Sequence, residues 1–285
     1  MVVLKSVSEV RAWRRRVRAD DASVGLAPTM GALHQGHLSL IRRAVADCDV
    51  TAVSLFVNPT QFGRGEDLES YPQDLERDVE LASREGVDVL FAPPTANMYA
   101  EGYATWVEVE RLTTGLCGRF RAGHFRGVTT IVLKLLNVVQ PDRAYFGEKD
   151  YQQLAVIRRM VQDLDLECEI VGMPTLREPD GLAMSSRNAY LSPEQRRAAL
   201  VLPRSLTKAR QLIESGERSA GKVLRAVKSR FAAEPLASLQ YAEIVDPDTL
   251  EPVERCDRDV VIAAACLVGD TRLIDNQMVK LRGGA

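Results

Sequence analysis

The sequence is poor in histidine and cysteine and has no long apolar run. Its 285 residues include 3 His and 5 Cys, and no two cysteines form a C-x-x-C pair, so neither a disulfide framework nor a zinc ribbon is predicted. No window approaches the roughly 18 apolar residues of a membrane span, and the opening "MVVLKSVSEVRAWRRRVRADD" has no apolar stretch of signal-peptide length. These absences predict a protein of the reducing cytoplasm that does not associate with membranes.

A strong excess of charge of either sign is also absent. The 37 Lys and Arg nearly balance the 39 Asp and Glu, which leaves a formal net charge of -2. Proteins with a general affinity for nucleic acid usually carry an excess of basic residues, so such a partner is not predicted. A hydrophobic content of 46% and a charged content of 27% are ordinary for a globular protein. At this length the chain can form two domains.

Short β-branched segments alternate with helical periodicity through the first part of the chain. Most of these segments lack the polar alternation of a half-exposed strand, which indicates a parallel sheet covered by helices on both faces. We therefore predict a doubly wound, Rossmann-like α/β domain over residues 1–176, whose ligands bind at the carboxyl ends of the strands. The predicted strands are residues 23–27, 50–57, 87–92, 142–146 and 167–172, and the predicted helices are residues 38–47, 74–85, 128–139 and 151–165.

The pattern changes at "REPDG", residues 177–181, where Pro and Gly interrupt it. Helical segments followed by strand-like segments then predict a smaller α+β domain over residues 177–285. In the first domain, "TWVEVE" (105–110) alternates cleanly and is predicted to be a half-exposed strand and a subunit contact. The elements predicted for the smaller domain are helices at 193–215 and 220–234 and strands at 239–246, 259–269 and 271–276.

The stretch "APTMGALHQGH", residues 27–37, contains two of the three histidines, two glycines and no charged side chain. It follows a predicted buried strand and leads into a helix, whose N-terminal N–H groups and dipole favour a phosphate. Gly31 and Gly36 let a phosphate approach the backbone, and His34 and His37 can donate hydrogen bonds to it. Two alternatives are that both histidines are capping or core residues, or that they bind zinc. For zinc, His124 is the only other histidine and no cysteine lies at ligand spacing.

The segment "TMGALHQGH" resembles the HxGH signature of the nucleotidylyltransferase and class I aminoacyl-tRNA synthetase superfamily. Its wording resembles the pantothenate synthetase family within that superfamily. Four further segments are similar to the same family and follow in the expected order: "SLFVNPTQFG" (54–63), "GHFRGV" (123–128), "VVQPDRAYFGEKDYQQL" (138–154) and "REPDGLAMSSRN" (177–188).

The resemblance implies an ATP-dependent ligase that joins (R)-pantoate to β-alanine through a pantoyl-adenylate, with release of pyrophosphate and then AMP. Both reactants of the first step are anionic, so cations and N–H dipoles must offset their repulsion. The family implies Mg²⁺ on the phosphates and a homodimer joined through the N-terminal domains. It also implies that the smaller domain acts as a lid over ATP.

The resemblance assigns catalytic roles to His37, His34 and Lys149, with His37 as proton donor or charge stabiliser. Lys149 would bind phosphate, Asp150 suits a ribose hydroxyl, and "MSSR" (184–187) would be a mobile loop that closes over ATP. The residues assigned to ATP are Met30, Gly31, Ala32, Leu33, His34, Gln35, Gly36, His37, Gly147, Glu148, Lys149, Asp150, Leu176, Met184, Ser185, Ser186 and Arg187.

Two glutamines are assigned to the other substrates. The resemblance places Gln61 and Gln153 on pantoate and Gln61 also on β-alanine, with Asn58 and Tyr71 as neighbours of that site. Asp78 is the candidate carboxylate for the metal. The segment that leads to it departs from the family, which has Arg-Tyr-Pro-Arg-Thr where this chain has "SYPQD" with Ser70, Gln73 and Asp74.

Other functions fit parts of the same pattern. A nucleotidylyltransferase of the superfamily would leave the adenylyl group on its product instead of releasing AMP. A tRNA synthetase is disfavoured because no basic anticodon-binding domain is evident. A nucleotide-binding module without turnover would keep the phosphate motifs alone.

Overall fold

The computed structural model of the chain describes residues 1–63 and 65–281. These residues form two compact units. The first unit contains Met1–Glu110, Arg121–Glu148 and Gln153–Pro174, and the second contains Arg111–Phe120, Lys149–Gln152 and the described residues from Thr175 onward. The division into folding domains at residue 176 stays a prediction, since the second unit also includes two short segments from the earlier part of the chain.

The first unit is built on a six-stranded sheet in which every described pairing is parallel. The strands lie in the order β1-β4-β3-β2-β5-β6, which confirms the doubly wound α/β class. Their bounds are β1 Val2–Leu4, β2 Val24–Thr29, β3 Val50–Leu55, β4 Val89–Phe91, β5 Arg143–Gly147 and β6 Glu169–Met173. The helices between them are α1 Val7–Ala19, α2 Gln35–Asp47, α3 Leu75–Arg84, α4 Thr95–Met98, α5 His124–Val139 and α6 Tyr151–Asp163.

Two local predictions for this unit are wrong. Strand β1, which precedes the strand predicted to be first, was missed because it has three residues and lies at the sheet edge with Val2 and Val3 exposed. Residues 105–110 are not in a strand. Instead, the N–H of Val107 donates to Thr130 Oγ1 at 3.0 Å, and its carbonyl accepts from Thr129 Oγ1 at 2.6 Å. The alternating pattern therefore reflects packing against α5.

The sheet brings the ends of three strands to one edge. Strand β2 pairs with β3 along its whole length and with β5 through Gly25 and Leu26. Since all three run parallel, the segments that follow Thr29, Leu55 and Gly147 leave at the same edge. Helix α2 packs its apolar face on this sheet in a core cluster that includes Leu38, Ile41, Ala44, Ala27, Val53 and Tyr145.

The second unit has helices packed on an antiparallel sheet of order β7-β8-β9, which confirms the α+β prediction. Its elements are α7 Pro193–Ala199, α8 Val201–Glu214, α9 Ala220–Ala232, β7 Ala237–Val245, β8 Val260–Val268 and β9 Thr271–Val279. The single helix predicted over 193–215 is two helices. The ring of Pro203 would clash with the carbonyl of Ala199 in a continuous helix, and α7 ends at that residue.

No helix within the described parts of the chain has the length and hydropathy needed to cross a membrane.

Candidate active site

The first turn of α2 places both histidines of the HxGH segment side by side. His34 is the N-cap residue, and its Nδ1 accepts the N–H of Gly36 at 3.1 Å. The imidazole rings of His34 and His37 stack with centroids 4.0 Å apart. Because Nδ1 of His34 is an acceptor, the neutral ring carries its proton on Nε2. The capping alternative is therefore true of His34, and Nε2–H is the group of this ring that can donate to a ligand.

The loop before this helix is held by a carboxylate from α3. Asp78 accepts the N–H of Ala32 on Oδ2 and the N–H of Leu33 on Oδ1, both at 2.8 Å. The residue is 2% exposed. Burial raises the pKa of Asp78, and the two N–H donors offset part of that rise. The assignment of Asp78 to a metal stays a prediction, and no group of three or more His, Cys, Asp and Glu side chains in the described chain is arranged to hold a metal ion.

The segment after β3 carries Gln61 and brings it to the loop that leads into α2. Residues Pro59–Gln61 form a 3-10 turn capped by Asn58. Asn58 is 1% exposed and donates to Gln61 Oε1 at 3.1 Å and to the carbonyl of Gly127 at 3.1 Å. The Nε2 of Gln61 lies 2.9 Å from Met30 Sδ. A residue predicted to bind pantoate and one predicted to bind ATP are thus in contact.

The main chain of Gln61 is held by a network that was not predicted from the sequence. Its carbonyl accepts from His124 Nδ1 at 2.9 Å and from Arg121 Nη2 at 3.3 Å. Arg121 also donates to His124 Nε2 at 2.9 Å and makes two bonds to Glu66, at 2.7 and 2.6 Å. Arginine donates only, so Nε2 of His124 accepts from Arg121 and Nδ1 donates to the carbonyl of Gln61. Burial alone would raise the pKa of Glu66, but the hydrogen bonds and charge of Arg121 outweigh it and lower that pKa to about 2.

The structure explains part of the departure from the family sequence between residues 70 and 74. Asp74 is the N-cap of α3, where its side chain accepts the N–H of Arg77 at 3.1 Å. Ser70 and Gln73 are exposed. Tyr71 is buried, and its ring meets Phe62 edge-on at 5.9 Å.

The neighbouring glutamines of α6 differ in what their side chains bind. Gln152 is buried and satisfies three main-chain groups: its Oε1 accepts from Cys117, and its Nε2 donates to the carbonyls of Leu112 and Gly115. Gln153 is half-buried in the first turn of the same helix. The structure thus gives Gln152 a packing role and keeps Gln153 as the candidate for substrate.

The remaining predicted ATP residues lie in two short segments. Gly147 ends β5, and Glu148, Lys149 and Asp150 form a 3-10 turn directly after it. Within the second unit, the carbonyl of Lys149 accepts from Asn276 Nδ2 at 2.8 Å. This bond involves the main chain of Lys149 and leaves its ammonium uncommitted to the turn.

In the second unit, the loop with "MSSR" is held by hydrogen bonds within the loop and to the segment before it. The N–H of Met184 donates to the carbonyl of Leu176 at 2.9 Å, so two predicted ATP segments are neighbours. Ser185 is the N-cap of a 3-10 turn over Ser186–Tyr190, and its hydroxyl accepts the N–H of Arg187 at 3.3 Å.

Ion pairs support the two ends of this loop. Arg177 makes a bidentate pair with Asp275, at 2.7 and 3.0 Å, and the Asp275 side chain is 1% exposed. Asn188 donates to Glu178 Oε1 at 2.6 Å, and Arg196 pairs with the same Glu178 at 2.5 Å. The flanks of the loop are thus firmly attached within the second unit.

Comparison with known proteins gives matches over nearly the whole chain. The sequence profile of a family described as pantoate-beta-alanine ligase matches residues 2–278. A protein of Heliobacterium modesticaldum named pantothenate synthetase is 55% identical over 281 residues, which are 99% of this chain and 100% of that protein. A protein of the same name from Moorella thermoacetica is also 55% identical over 281 residues, 99% of each chain.

Solved structures also match the chain over nearly its whole length. A crystal structure of pantothenate synthetase from Thermus thermophilus superposes with a TM-score of 0.93 at 49% identity and covers 97% of this chain and 99% of that one. The pantoate-beta-alanine ligase of Francisella tularensis, solved as a complex with beta-gamma ATP and beta-alanine, has a TM-score of 0.78 at 33% identity. That match covers 98% of this chain and 97% of the other.

Proposed function

This chain belongs to the pantoate–β-alanine ligase family, and we propose that it uses ATP to condense (R)-pantoate with β-alanine through a pantoyl-adenylate. The family membership confirms the resemblance noted from the five sequence segments. The roles of individual residues stay predictions, and their support comes from the geometry of each unit.

The observation that carries the proposal is the contact between Gln61 and Met30 at the carboxyl edge of the sheet. The loop that contains Met30 leads into the N-terminus of α2, where the helix dipole favours a phosphate. A pantoate carboxylate bound at Gln61 would therefore lie beside a nucleotide bound at this loop. Attack of a carboxylate on the α-phosphorus requires that proximity.

In the first half-reaction the pantoate carboxylate attacks the α-phosphorus of ATP, and pyrophosphate leaves. The Nε2–H of His34 and the ring of His37 can stabilise the negative charge that accumulates on the departing oxygens. Lys149 and Arg187 are proposed to bind phosphate, with Arg187 suited to bidentate contact. Gln61 and Gln153 are uncharged amides that can accept from the pantoate hydroxyls and donate to its carboxylate.

In the second half-reaction the amine of β-alanine attacks the acyl carbon of the adenylate, and AMP leaves. An acyl-adenylate is activated enough that this step requires no covalent acyl-enzyme. Burial raises the pKa of both Cys168 and Cys266 to about 12, so neither thiol supplies a thiolate near neutral pH. Neither cysteine is therefore a candidate nucleophile for an acyl-enzyme.

Magnesium is proposed as the companion of ATP. Asp78 uses both oxygens to accept main-chain N–H groups, and no group of three or more His, Cys, Asp and Glu side chains among the described residues is arranged to hold a metal ion. An ion that keeps several waters and binds the β- and γ-phosphates needs few protein ligands. A homodimer and a cytoplasmic location likewise stay predictions from the sequence.

The proposal is tested by mixing the purified protein with ATP, Mg²⁺, (R)-pantoate and β-alanine and omitting each component in turn. AMP and the amide product are expected only from the complete mixture. Exchange of labelled pyrophosphate into ATP is expected when pantoate is present and β-alanine is omitted. An adenylyl group recovered on the product would instead identify a nucleotidylyltransferase, and ATP binding without pyrophosphate release would identify a binding module. Either result would overturn the proposal.

A further inference from the structure

The loop that leads into α2 contains two successive residues in the left-handed region of φ. Gly31 has φ +87° and Ala32 has φ +50°. Glycine adopts this conformation freely, whereas alanine is strained by its Cβ. A non-glycine residue in this region persists only when its surroundings hold it there. The strain at Ala32 therefore calls for a group that fixes the turn.

Asp78 is that group. Its two carboxylate oxygens each accept one N–H, from Ala32 and from Leu33, at 2.8 Å. The residue is nearly fully buried on α3. A Cβ added at Gly31 would lie 3.0 Å from Asp78 Oδ2, so the glycine is needed both for its φ and for the close approach of the carboxylate.

The turn directly determines where the histidines lie. Leu33 is followed by His34, the N-cap of α2, whose ring stacks on His37. A shift of the Ala32–Leu33 peptide would displace the N-cap residue and rotate the first turn of α2. The orientation of both imidazoles thus depends on the two bonds to Asp78.

The same burial argues against direct metal binding by this side chain. Mg²⁺ is octahedral and usually keeps several waters. A carboxylate on a residue that is 2% exposed, engaged on both oxygens, has no open side for a hydrated ion. The sequence pattern linked Asp78 to the metal, and the geometry indicates a different role.

We propose that Asp78 is a positioning residue: it clamps the strained Ala32–Leu33 turn so that His34 and His37 are oriented toward the nucleotide. The part of this inference that concerns ATP depends on the proposed function. The part that concerns the loop does not, because both hydrogen bonds are made between groups of the protein itself.

The variant Asp78→Asn tests the clamp. An amide has one acceptor oxygen, and its NH₂ group would face the second N–H, so one of the two bonds is lost. In the ligand-free protein, hydrogen exchange at the Ala32 and Leu33 amides is expected to become at least about tenfold faster. The KM for ATP is expected to rise about tenfold to a hundredfold, while addition of Mg²⁺ restores nothing. Asp74→Asn on the same helix is the matched control, since asparagine also caps a helix.

A second variant distinguishes strain from metal binding. In Asp78→Asn/Ala32→Gly, glycine accepts the left-handed φ without the clamp, so part of the ATP affinity is expected to return. The inference would be overturned if exchange at the two amides were unchanged in Asp78→Asn, or if raised Mg²⁺ abolished the defect.

If Asp78→Asn does not fold, the double variant is compared with Ala32→Gly alone. A higher KM for ATP at an equal Mg²⁺ requirement in the double variant would support the clamp, and an equal KM or a higher Mg²⁺ requirement would contradict it. If wild-type protein proved inactive in the omission assay, only the proposed function would fail.

Discussion

The imidazoles of His34 and His37 are stacked 4.0 Å apart with their planes inclined by 24°. At this separation the two rings are in contact, so a shift of one imidazole would displace the other. The bond that His34 Nδ1 accepts from the N–H of Gly36 fixes the orientation of that ring. Both rings are thereby held at the N-terminus of α2, where the helix dipole favours an anion.

Substitution of His37 by Ala is expected to lower pantoate-dependent pyrophosphate exchange by about a hundredfold or more, the scale for loss of one preorganised donor. His34→Asn separates capping from catalysis. Asparagine caps a helix as well as histidine does here, so the unfolding free energy should stay near that of wild type while exchange falls. His34→Ala should lose exchange activity and also about 1 kcal/mol of unfolding free energy. Near-wild-type exchange in His37→Ala would contradict the assignment.

Lys149→Ala is expected to slow adenylation by about a hundredfold or more through the loss of a phosphate ligand. The variant should fold normally, because the bond from Asn276 reaches the main-chain carbonyl of residue 149 and not its side chain. Urea denaturation checks the stability, and the exchange assay checks the rate. A stable variant with unchanged exchange would remove Lys149 from the catalytic residues.

The two neighbouring glutamines of α6 give a matched pair. Gln153→Ala is expected to raise the KM for pantoate with little change in Tm. Gln152→Ala leaves three main-chain groups unsatisfied and should cost about 1–3 kcal/mol of stability. Steady-state kinetics and thermal unfolding of both variants test the distinction, and the reverse pattern would show that the substrate role belongs to Gln152.

The ionisation of Glu66 makes the free energy of unfolding depend on pH in the acid range. Its folded-state pKa is about 2, below the ordinary 4.5, so its contribution is present above pH 4.5 and is lost as the pH falls toward 2. The difference in unfolding free energy between wild type and Glu66→Gln should therefore shrink as the pH falls from about 5 to about 3. Denaturant unfolding at several pH values measures it. Since Glu66 supports Arg121 behind Gln61, the variant should also raise the KM for pantoate and β-alanine more than that for ATP. A difference that stays constant with pH would contradict the ion pair's role.

Local patterns in the sequence were sufficient wherever the structure depends on neighbours along the chain. The buried strands β2, β3 and β5, the position of α2 and the HxGH segment were all readable because periodicity and residue type act over a few residues. The same local signals failed at 105–110, where alternation arose from contact with α5, and at 193–215, where the effect of Pro203 on a continuous helix was not recognised.

The hydrogen bonds that shape the site were not readable in this way. Asp78 reaches a loop 45 and 46 residues earlier in the chain, and Arg121 reaches Glu66 across 55 residues. No local pattern records such pairs, since their geometry arises only when parallel strands bring distant segments to one edge.

The sequence by itself determined the fold class, the family and the segment proposed to bind the nucleotide, because each depends on residue type and short-range order. Only the tertiary structure decided which groups orient that segment: a buried carboxylate for the strained turn, and an acid–guanidinium–imidazole network for Gln61. The physical reason is that a hydrogen bond requires atoms within about 3 Å, and that proximity is a property of the folded chain.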